Sequence, residues 1–400
     1  MNVALLLKGL MNGKKVMLCF AMLKPKLTNI LEQARSGLLF LLFPLEYLYR
    51  LLFFIDQTIK KYRTPETPYP FKVISVGNLT VGGTGKSVVV PFLVKTLGVE
   101  CCAVVMRGYG GAQERANKPM LVSDGKQLFC SVAVAGDEAV MHATHLACPV
   151  VVSASRQHGC NLIRGLFCTA LPPLSVRPSA SSGGAVQSTQ YVILDDAYQH
   201  HSVKKDLEIV LLDARKPFDN GHCLPLGRLR EKDLSRASLV MLTHSDQIST
   251  EQREVLELQL QKQLGTKPIF WGKHAIDGLY QNNEELVSPA FFADKKIVIV
   301  AGIGKPVNIE QSLKKINLIA SAVCAFPNHA PYRERDLETI CEQAQAVGAT
   351  AVITTTKDWV KLAPLVLRQY ARAPLSWYVL RVQYELLDKP DDARLRQQFN

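Results

Sequence analysis

The chain has 400 residues, more than one hydrophobic core comfortably serves, so two domains are expected. Hydrophobic residues make up 48% and charged residues 20%, which excludes global disorder. The net charge of +12 is uneven: residues 1–72 hold eleven Lys and Arg against four Asp and Glu, pointing to an anionic partner surface, membrane or nucleic acid. The ten cysteines include no C-x-x-C pair, so zinc and dithiol redox chemistry are not expected and a reducing, cytosolic setting is the simplest reading.

In chain order, residues 1–34 form an extension of unassigned role. Lys14-Lys15 before Val16–Leu23 is like a short signal segment, but no small-residue cleavage site follows and Lys24 ends it. Residues 35–70 carry a membrane signal. Gly37–Ile55 approaches a spanning length, yet Glu46 and Arg50 interrupt it four apart on one helical face and Pro44 adds a kink or a new start. An interfacial helix fits better than a span, with Tyr47 and Tyr49 at headgroup depth and basic flanks on anionic lipid. The alternative is a buried first helix of the globular fold.

From residue 71 the pattern changes. An apolar strand, Val73–Val76, enters a glycine-rich loop, and Gly85-Lys86-Ser87 opens a helix expected over Ser87–Leu97. This is the order that phosphate binding requires. The backbone of Thr80, Val81, Gly82, Gly83, Thr84 and Gly85 cradles the phosphates, Lys86 reaches the β/γ oxygens and Ser87 holds Mg²⁺. Thr80 stands where G-x-x-x-x-G-K-[ST] has glycine. A plain turn would explain Gly82-Gly83 but not a Lys-Ser pair before an apolar helix.

Further strands are expected at Cys102–Met106, Pro149–Ser153, Tyr191–Asp195, Ile209–Asp213, Leu239–Thr243, Lys296–Ala301, Ala351–Thr355 and Trp377–Val382, alternating with helical stretches. The rhythm predicts an α/β fold, a P-loop NTPase-like mostly parallel sheet with flanking helices and ligands at the carboxyl ends of its strands. Residues 71–285 form the expected core, 171–190 a Pro/Ser/Gly-rich insertion, and 286–400 a second, smaller α/β domain. Tyr191–Asp196, Y-V-I-L-D-D, resembles the strand whose carboxylates organise Mg²⁺ in P-loop enzymes, which nominates Asp195 and Asp196. A zinc site built from His142-x-x-His145 and His200-His201 lacks a convincing third ligand.

Several segments then fall in a recognisable order. They are Val76–Ser87, Arg107-Gly108-Tyr109-Gly110-Gly111, Gly136-Asp137-Glu138, Asp195-Asp196-Ala197-Tyr198-Gln199-His200, Leu224–Glu231, Ala301–Pro306, Phe326-Pro327-Asn328-His329 and Thr355-Thr356-Lys357-Asp358. Together they resemble the tetraacyldisaccharide 4'-kinase family, inner-membrane enzymes that phosphorylate the lipid A precursor, over residues 35–385. Thr80 is usual in that family's loop. The departures are Ala197 and Tyr198 in D-D-G-F-Q-H, Arg228 for proline in L-P-x-G-P-L-R-E, Asn328 in F-P-D-H and Thr356 in T-E-K-D.

The resemblance implies an ATP- and Mg²⁺-dependent kinase acting on the 4'-hydroxyl of tetraacyldisaccharide 1-phosphate at the cytoplasmic face of the inner membrane. It implies Asp137 as catalytic base, tuned by His329 from the second domain; the alternatives are a helix N-cap for Asp137 and a structural histidine after a proline turn. Asn78, Arg107, Tyr109, Gly110, Glu138, Gln199, His200 and Arg230 are the expected acceptor contacts, the basic residues suiting an acceptor that already carries phosphate. Arg228 is a further candidate for that phosphate, or a solvated surface arginine. The expected partners are an anionic glycolipid and a membrane surface but no nucleic acid. No feature fixes an oligomeric state, and a monomer is the default.

Three other readings compete. A membrane-associated ATPase of the partitioning type needs a signature lysine where Val81 stands. A GTPase needs N/T-K-x-D, whose spacing Thr356-Lys357-Asp358-Trp359 lacks. The motif departures leave a diverged kinase for another glycolipid open.

Overall fold

The computed structural model describes residues 43–60, 68–116, 118–168, 189–302, 307–327, 330–369 and 375–399. Residues 1–42, nearly all of the expected insertion, Asn328 and His329 lie outside them. Within the described residues a first helix, α1 (residues 43–60), precedes β1 (Lys72–Asn78), α2 (Lys86–Leu97), β2 (Cys102–Met106) and β3 (Met120–Asp124). Next come α3 (Val132–Ala135), α4 (Asp137–His145), β4 (Pro149–Val152), α5 (Arg156–Phe167), β5 (Tyr191–Asp195), β6 (Leu207–Asp213), β7 (Leu239–Thr243) and α6 (Thr250–Leu264). The second half holds β8 (Ile269–Gln281), β9 (Glu285–Val287), β10 (Ile297–Ala301), α7 (Val307–Lys315), β11 (Ala322–Ala325), α8 (Glu334–Val347), β12 (Ala351–Thr355), α9 (Thr356–Gln369), β13 (Ser376–Leu386) and α10 (Pro390–Gln397).

The strands form one mostly parallel sheet in the order β11-β10-β12-β13-β8-β7-β6-β1-β5-β2-β4-β3, with β9 on β8. Strand β1 is central because Val73, Ile74 and Val76 are buried on both faces, as a parallel strand between helical layers requires. It pairs in parallel with β5 and β6, and β6 with β7, so Asn78, Asp195, Asp213 and Thr243 end at one edge of the sheet. That edge is where an open α/β sheet offers a binding crevice.

Strand β8 joins the two halves. Its first residues, Ile269–Trp271, run parallel to β7, and Gly272–Gln281 run antiparallel to β13. Gly272 lets the Tyr384 ring lie against the backbone, and the Tyr384 hydroxyl donates to the Leu242 carbonyl at 2.8 Å. The end of the chain returns to the first half: Tyr384, Leu395 and Phe399 share a core with Val89 and Leu93 of α2.

Helix α1 is amphipathic in the reverse sense. It turns Glu46, Tyr49, Phe53 and Gln57 toward the protein and leaves Leu45, Leu48, Leu51, Leu52, Phe54 and Ile55 exposed. The Glu46 carboxylate is buried, accepting from the Cys223 N–H at 2.8 Å and lying 2.9 Å from His222 Nδ1. Burial opposes its charge, but these bonds and the His222 ring hold its carboxyl below the usual range. Among the described residues no helix is long and apolar enough to cross a membrane.

The strand expectations match at Cys102–Met106, Tyr191–Asp195, Leu239–Thr243 and Ala351–Thr355, and the first helix of the loop runs Lys86–Leu97. Strands β3, β8, β9 and β11 were not expected. β8 reads I-F-W-G-K-H-A-I-D-G-L-Y-Q, whose two glycines and mixed polarity hide it, because it changes partner midway and is buried unevenly.

Candidate active site

The loop between β1 and α2 is stapled from within. The Asn78 side chain donates to the Thr80 carbonyl at 2.8 Å and accepts from Lys86 Nζ at 3.1 Å. Its amide is thus fully occupied within the loop. Thr243, at the end of β7, donates to the Thr84 carbonyl at 3.3 Å and ties the loop to the sheet. Gly85, in the left-handed region at φ 84°, starts α2 and leaves the first-turn N–H groups facing the crevice, an anion site by geometry.

Two carboxylates meet the loop lysine. Asp196, at φ 50° just beyond β5, lies 3.1 Å from Lys86 Nζ and 3.2 Å from Arg230 Nη1. Burial works against its charge, but Lys86 and Arg230 prevail and hold its carboxyl below the usual range. Asp195 behaves oppositely. Burial, with Glu138 and Asp196 nearby, pushes it up to about 7 despite Lys86. Its Oδ1 is buried with no hydrogen-bond partner among the described residues, while Arg156, itself buried, fixes the turn by donating to the Asp195 carbonyl at 2.7 Å.

An orphaned buried carboxylate oxygen beside a second carboxylate fits a hard divalent cation that takes few protein ligands and completes its shell with phosphate and water. Among the described residues no three His, Cys, Asp or Glu side chains gather as a metal cluster.

The folded and unfolded states therefore bind different numbers of protons at Asp195. Between about pH 4 and 7 the folded chain holds a proton there that the unfolded chain has lost, so this group's contribution falls as pH rises. His142 and His274, pushed down to about 4 by burial, and His200, pushed down to about 3 by burial and Arg156, contribute the opposite slope below their unfolded value. The test is accordingly a difference. In metal-free protein, Asp195→Asn should gain stability over wild type on the order of 1 kcal/mol per pH unit between pH 5 and 7. Urea unfolding at pH 5, 6 and 7 measures it; parallel curves for the two proteins would assign the proton elsewhere.

Asp137 opens α4 beside the same edge, almost wholly buried, and its Oδ1 accepts from the Glu138 N–H at 2.9 Å. Helix α9 brings two lysines to it from the second half: Lys357 Nζ stands 3.9 Å and Lys361 Nζ 3.8 Å from Oδ2. Lys357 also pairs with Glu138 at 3.0 Å and, against burial, holds its carboxyl below the usual range. Lys361 lies 3.3 Å from Asp358, a fully buried carboxylate that accepts from the Gly302 N–H and the Thr355 hydroxyl. Lys361 was not foreseen, although its four-residue spacing from Lys357 puts both on one helical face.

The other expected contacts divide into two groups. Arg107, Tyr109 and Gly110 form a surface loop: Arg107 lies over the Tyr109 ring and 3.9 Å from Glu114, which also accepts from the Gly110 N–H. The backbone at Gly136 packs against this loop at Tyr109, which sets it beside α4. Gln199 instead bonds the Asn78 carbonyl at 2.8 Å, Glu231 at 2.9 Å and Arg230 at 3.1 Å, a structural brace between loops. His200 is held neutral next to it. Tyr198, a departure from the expected phenylalanine, is buried with its hydroxyl donating to the Asp233 carbonyl at 2.9 Å, so the added polar atom is satisfied.

Between the halves lies a cavity of about 1040 Å³ whose lining includes Ser87, Phe92, His142, His274, Lys357 and Arg381. His142 presents both ring nitrogens, and His274 its Nε2, without partners among the described residues.

The family model described as tetraacyldisaccharide-1-P 4'-kinase matches residues 38–400. A protein of Desulfotalea psychrophila named tetraacyldisaccharide 4'-kinase is 32% identical over 299 residues, 74% of this chain and 79% of its own length. One of the same name from Chlorobaculum parvum is 33% identical over 341 residues, 82% of this chain and 85% of its own. A crystal structure described as the "apo" form of LpxK from Aquifex aeolicus in complex with ATP has a TM-score of 0.67, covering 91% of this chain and 100% of that one, at 24% identity. The last similarity speaks to the fold, and the first three to descent: this chain belongs to the tetraacyldisaccharide-1-P 4'-kinase family.

Proposed function

We propose that this protein transfers the γ-phosphoryl group of ATP to the 4'-hydroxyl of tetraacyldisaccharide 1-phosphate in lipid A biosynthesis. The observation that carries this reading is the meeting of Lys86, the Asp195-Asp196 pair and buried Asp137 at one sheet edge, in a chain of this family. The phosphates lie along Gly82–Ser87, with Lys86 released from Asp196 to hold the β/γ oxygens, and the nucleoside occupies the cavity that Ser87 helps to line. Asp137, oriented by Lys357 and Lys361, takes the proton of the acceptor hydroxyl as its oxygen attacks. Ser87, Asp195 and Asp196 are the residues we assign to Mg²⁺, which when bound neutralises phosphate charge. His329 we assign to tuning Asp137, and the loop of Arg107, Tyr109 and Gly110 to the acceptor side. Residues 71–285 act as the kinase core and 286–400 as the smaller domain that closes on Asp137.

The decisive assay incubates the purified full chain with γ-³²P-ATP and the 1-phosphorylated tetraacyl disaccharide in mixed micelles. Label in the bis-phosphorylated product is expected. ATP binding without transfer would remove the reading.

We place the protein at the cytoplasmic face of the inner membrane, with the outward apolar face of α1 on the bilayer. The reversed amphipathicity supports this, since among the described residues nothing covers that apolar face. Tyr49 and Gln57 of α1 donate to the carbonyls of Arg230 and Gln199, so the lipid face stands one helix away from the carboxylates. Changing Leu51, Leu52 and Phe54 together to Gln should lower sedimentation with vesicles containing anionic lipid at least tenfold while leaving the melting temperature within a few degrees. Undiminished sedimentation would assign the membrane contact elsewhere.

A further inference from the structure

Residues 222–231 form a strap across the phosphate loop. The Arg230 N–H donates to the Leu79 carbonyl at 2.7 Å, the Val81 N–H to the Arg228 carbonyl at 2.7 Å, and Thr80 bridges Leu229. Arg228, the residue that stands where the family pattern has proline, turns its side chain back onto the loop. Its Nε and Nη2 both donate to the Val81 carbonyl, at 3.0 and 2.7 Å. A Cβ on Gly82 would run into Nη2, so the tip of the guanidinium occupies space that only a glycine at this position leaves open. Lys86, Arg230 and Arg236 are each paired with a carboxylate, whereas none pairs with Arg228 among the described residues. Two of the five guanidinium N–H groups are spent on Val81, and the other three, on an exposed side chain seated at the phosphate loop, have no partner among the described residues.

We propose that Arg228 is an arginine finger supplied by the chain itself, whose free N–H groups contact the transferring γ-phosphoryl group. The inference rests on the kinase reading above. In the step, the bond from the γ-phosphorus to the β–γ bridging oxygen breaks and the bond to the acceptor oxygen forms. The hydroxyl proton passes to Asp137, and ADP leaves with the bonding pair. A guanidinium anchored on Val81 meets the charge that grows on the bridging and γ oxygens in that step, more than the charge of resting ATP. Its effect therefore falls on turnover rather than on ground-state affinity. The acceptor's own phosphate, the partner expected for Arg228 from sequence, does not match this seat on the donor loop.

The test compares wild type with Arg228→Gln and Arg228→Lys, using calorimetry with ADP and Mg²⁺, with and without aluminium fluoride, alongside kcat. Aluminium fluoride should tighten ADP binding by wild type at least tenfold. Arg228→Gln should abolish that tightening, keep ADP affinity within twofold and lower kcat roughly 10²- to 10³-fold, with Lys recovering part of both. Retained tightening and kcat in Arg228→Gln would overturn the inference. So would an equal loss of bare ADP affinity, which would make Arg228 a strut of the loop. Wild type that binds neither ATP nor ADP would overturn the kinase reading itself, a result distinct from either. Should Arg228→Gln melt early, Arg228→Met takes its place, with the same loss of tightening and kcat expected and retention of both overturning the inference.

Discussion

Asp137→Ala is expected to lower kcat by roughly 10²- to 10⁴-fold while changing ATP affinity by less than about threefold. The carboxylate stands at the first position of α4 rather than on the loop that holds phosphate, so its removal leaves the Lys86–Asn78 hydrogen bond in place. The two lysines that face it keep other partners: Lys357 retains Glu138 at 3.0 Å and Lys361 retains Asp358 at 3.3 Å. No buried cation is stranded, and the fold should survive with a modest loss of stability. Asp137→Asn, which keeps the volume and the bond from the Glu138 N–H but cannot take a proton, should be as slow as the alanine variant. Steady-state kinetics with both substrates varied, beside nucleotide calorimetry, make the measurement. An Asp137→Ala enzyme within tenfold of wild-type kcat would leave Asp137 as a helix cap and nothing more.

Lys86→Met should have the opposite signature. Here ATP affinity itself is expected to fall, by about a hundredfold or more, with ADP affected less, because the ammonium serves the β and γ oxygens. Methionine approximates the length of the aliphatic stem and removes only the charge. Asp196 keeps Arg230 at 3.2 Å, so the carboxylate is not left bare and the melting temperature should shift by only a few degrees. Calorimetric titration with ATP and ADP separates the outcomes. Unchanged ATP affinity in a folded variant would mean that the lysine belongs to the Asp196 cluster and not to the nucleotide.

The nucleotide half of the site was legible because its chemistry is local. Thr80 to Ser87 are consecutive, Asp195-Asp196 end a run of apolar residues, and each stretch announces its strand and suggests the role proposed for it. The proposed base was nominated only through the family pattern, since Gly136-Asp137 by itself reads equally as a helix start. What surrounds it was not legible at all. Lys357 and Lys361 reach Asp137 from more than two hundred residues away, and their placement depends on β8 and β13 pairing across the two halves. Neither strand advertises that partnership. β8 mixes glycine, lysine, histidine and aspartate because its first four residues are buried in one half while the rest, Leu279 apart, are partly buried or, at Asp277, exposed in the second. The seat of Arg228 was hidden for a similar reason: its partner is a backbone carbonyl, to which no sequence pattern points.

The last segment of the chain has a consequence for how the protein is made. The Lys72 ammonium donates to the Phe399 carbonyl at 2.7 Å, 327 residues later, and Arg396 donates to the Thr96 carbonyl at 2.6 Å. Tyr384, Leu395 and Phe399 fill the core beneath α2. During synthesis, then, the helix that carries Lys86 can settle on β1 and β5 as they appear, but the part of its face that meets β13 and α10 waits for residues that the ribosome has not yet added. The nucleotide-binding half cannot finish folding ahead of the other half. The part of its core that those residues cover stays exposed through most of translation, a long interval in which a chaperone has reason to hold it.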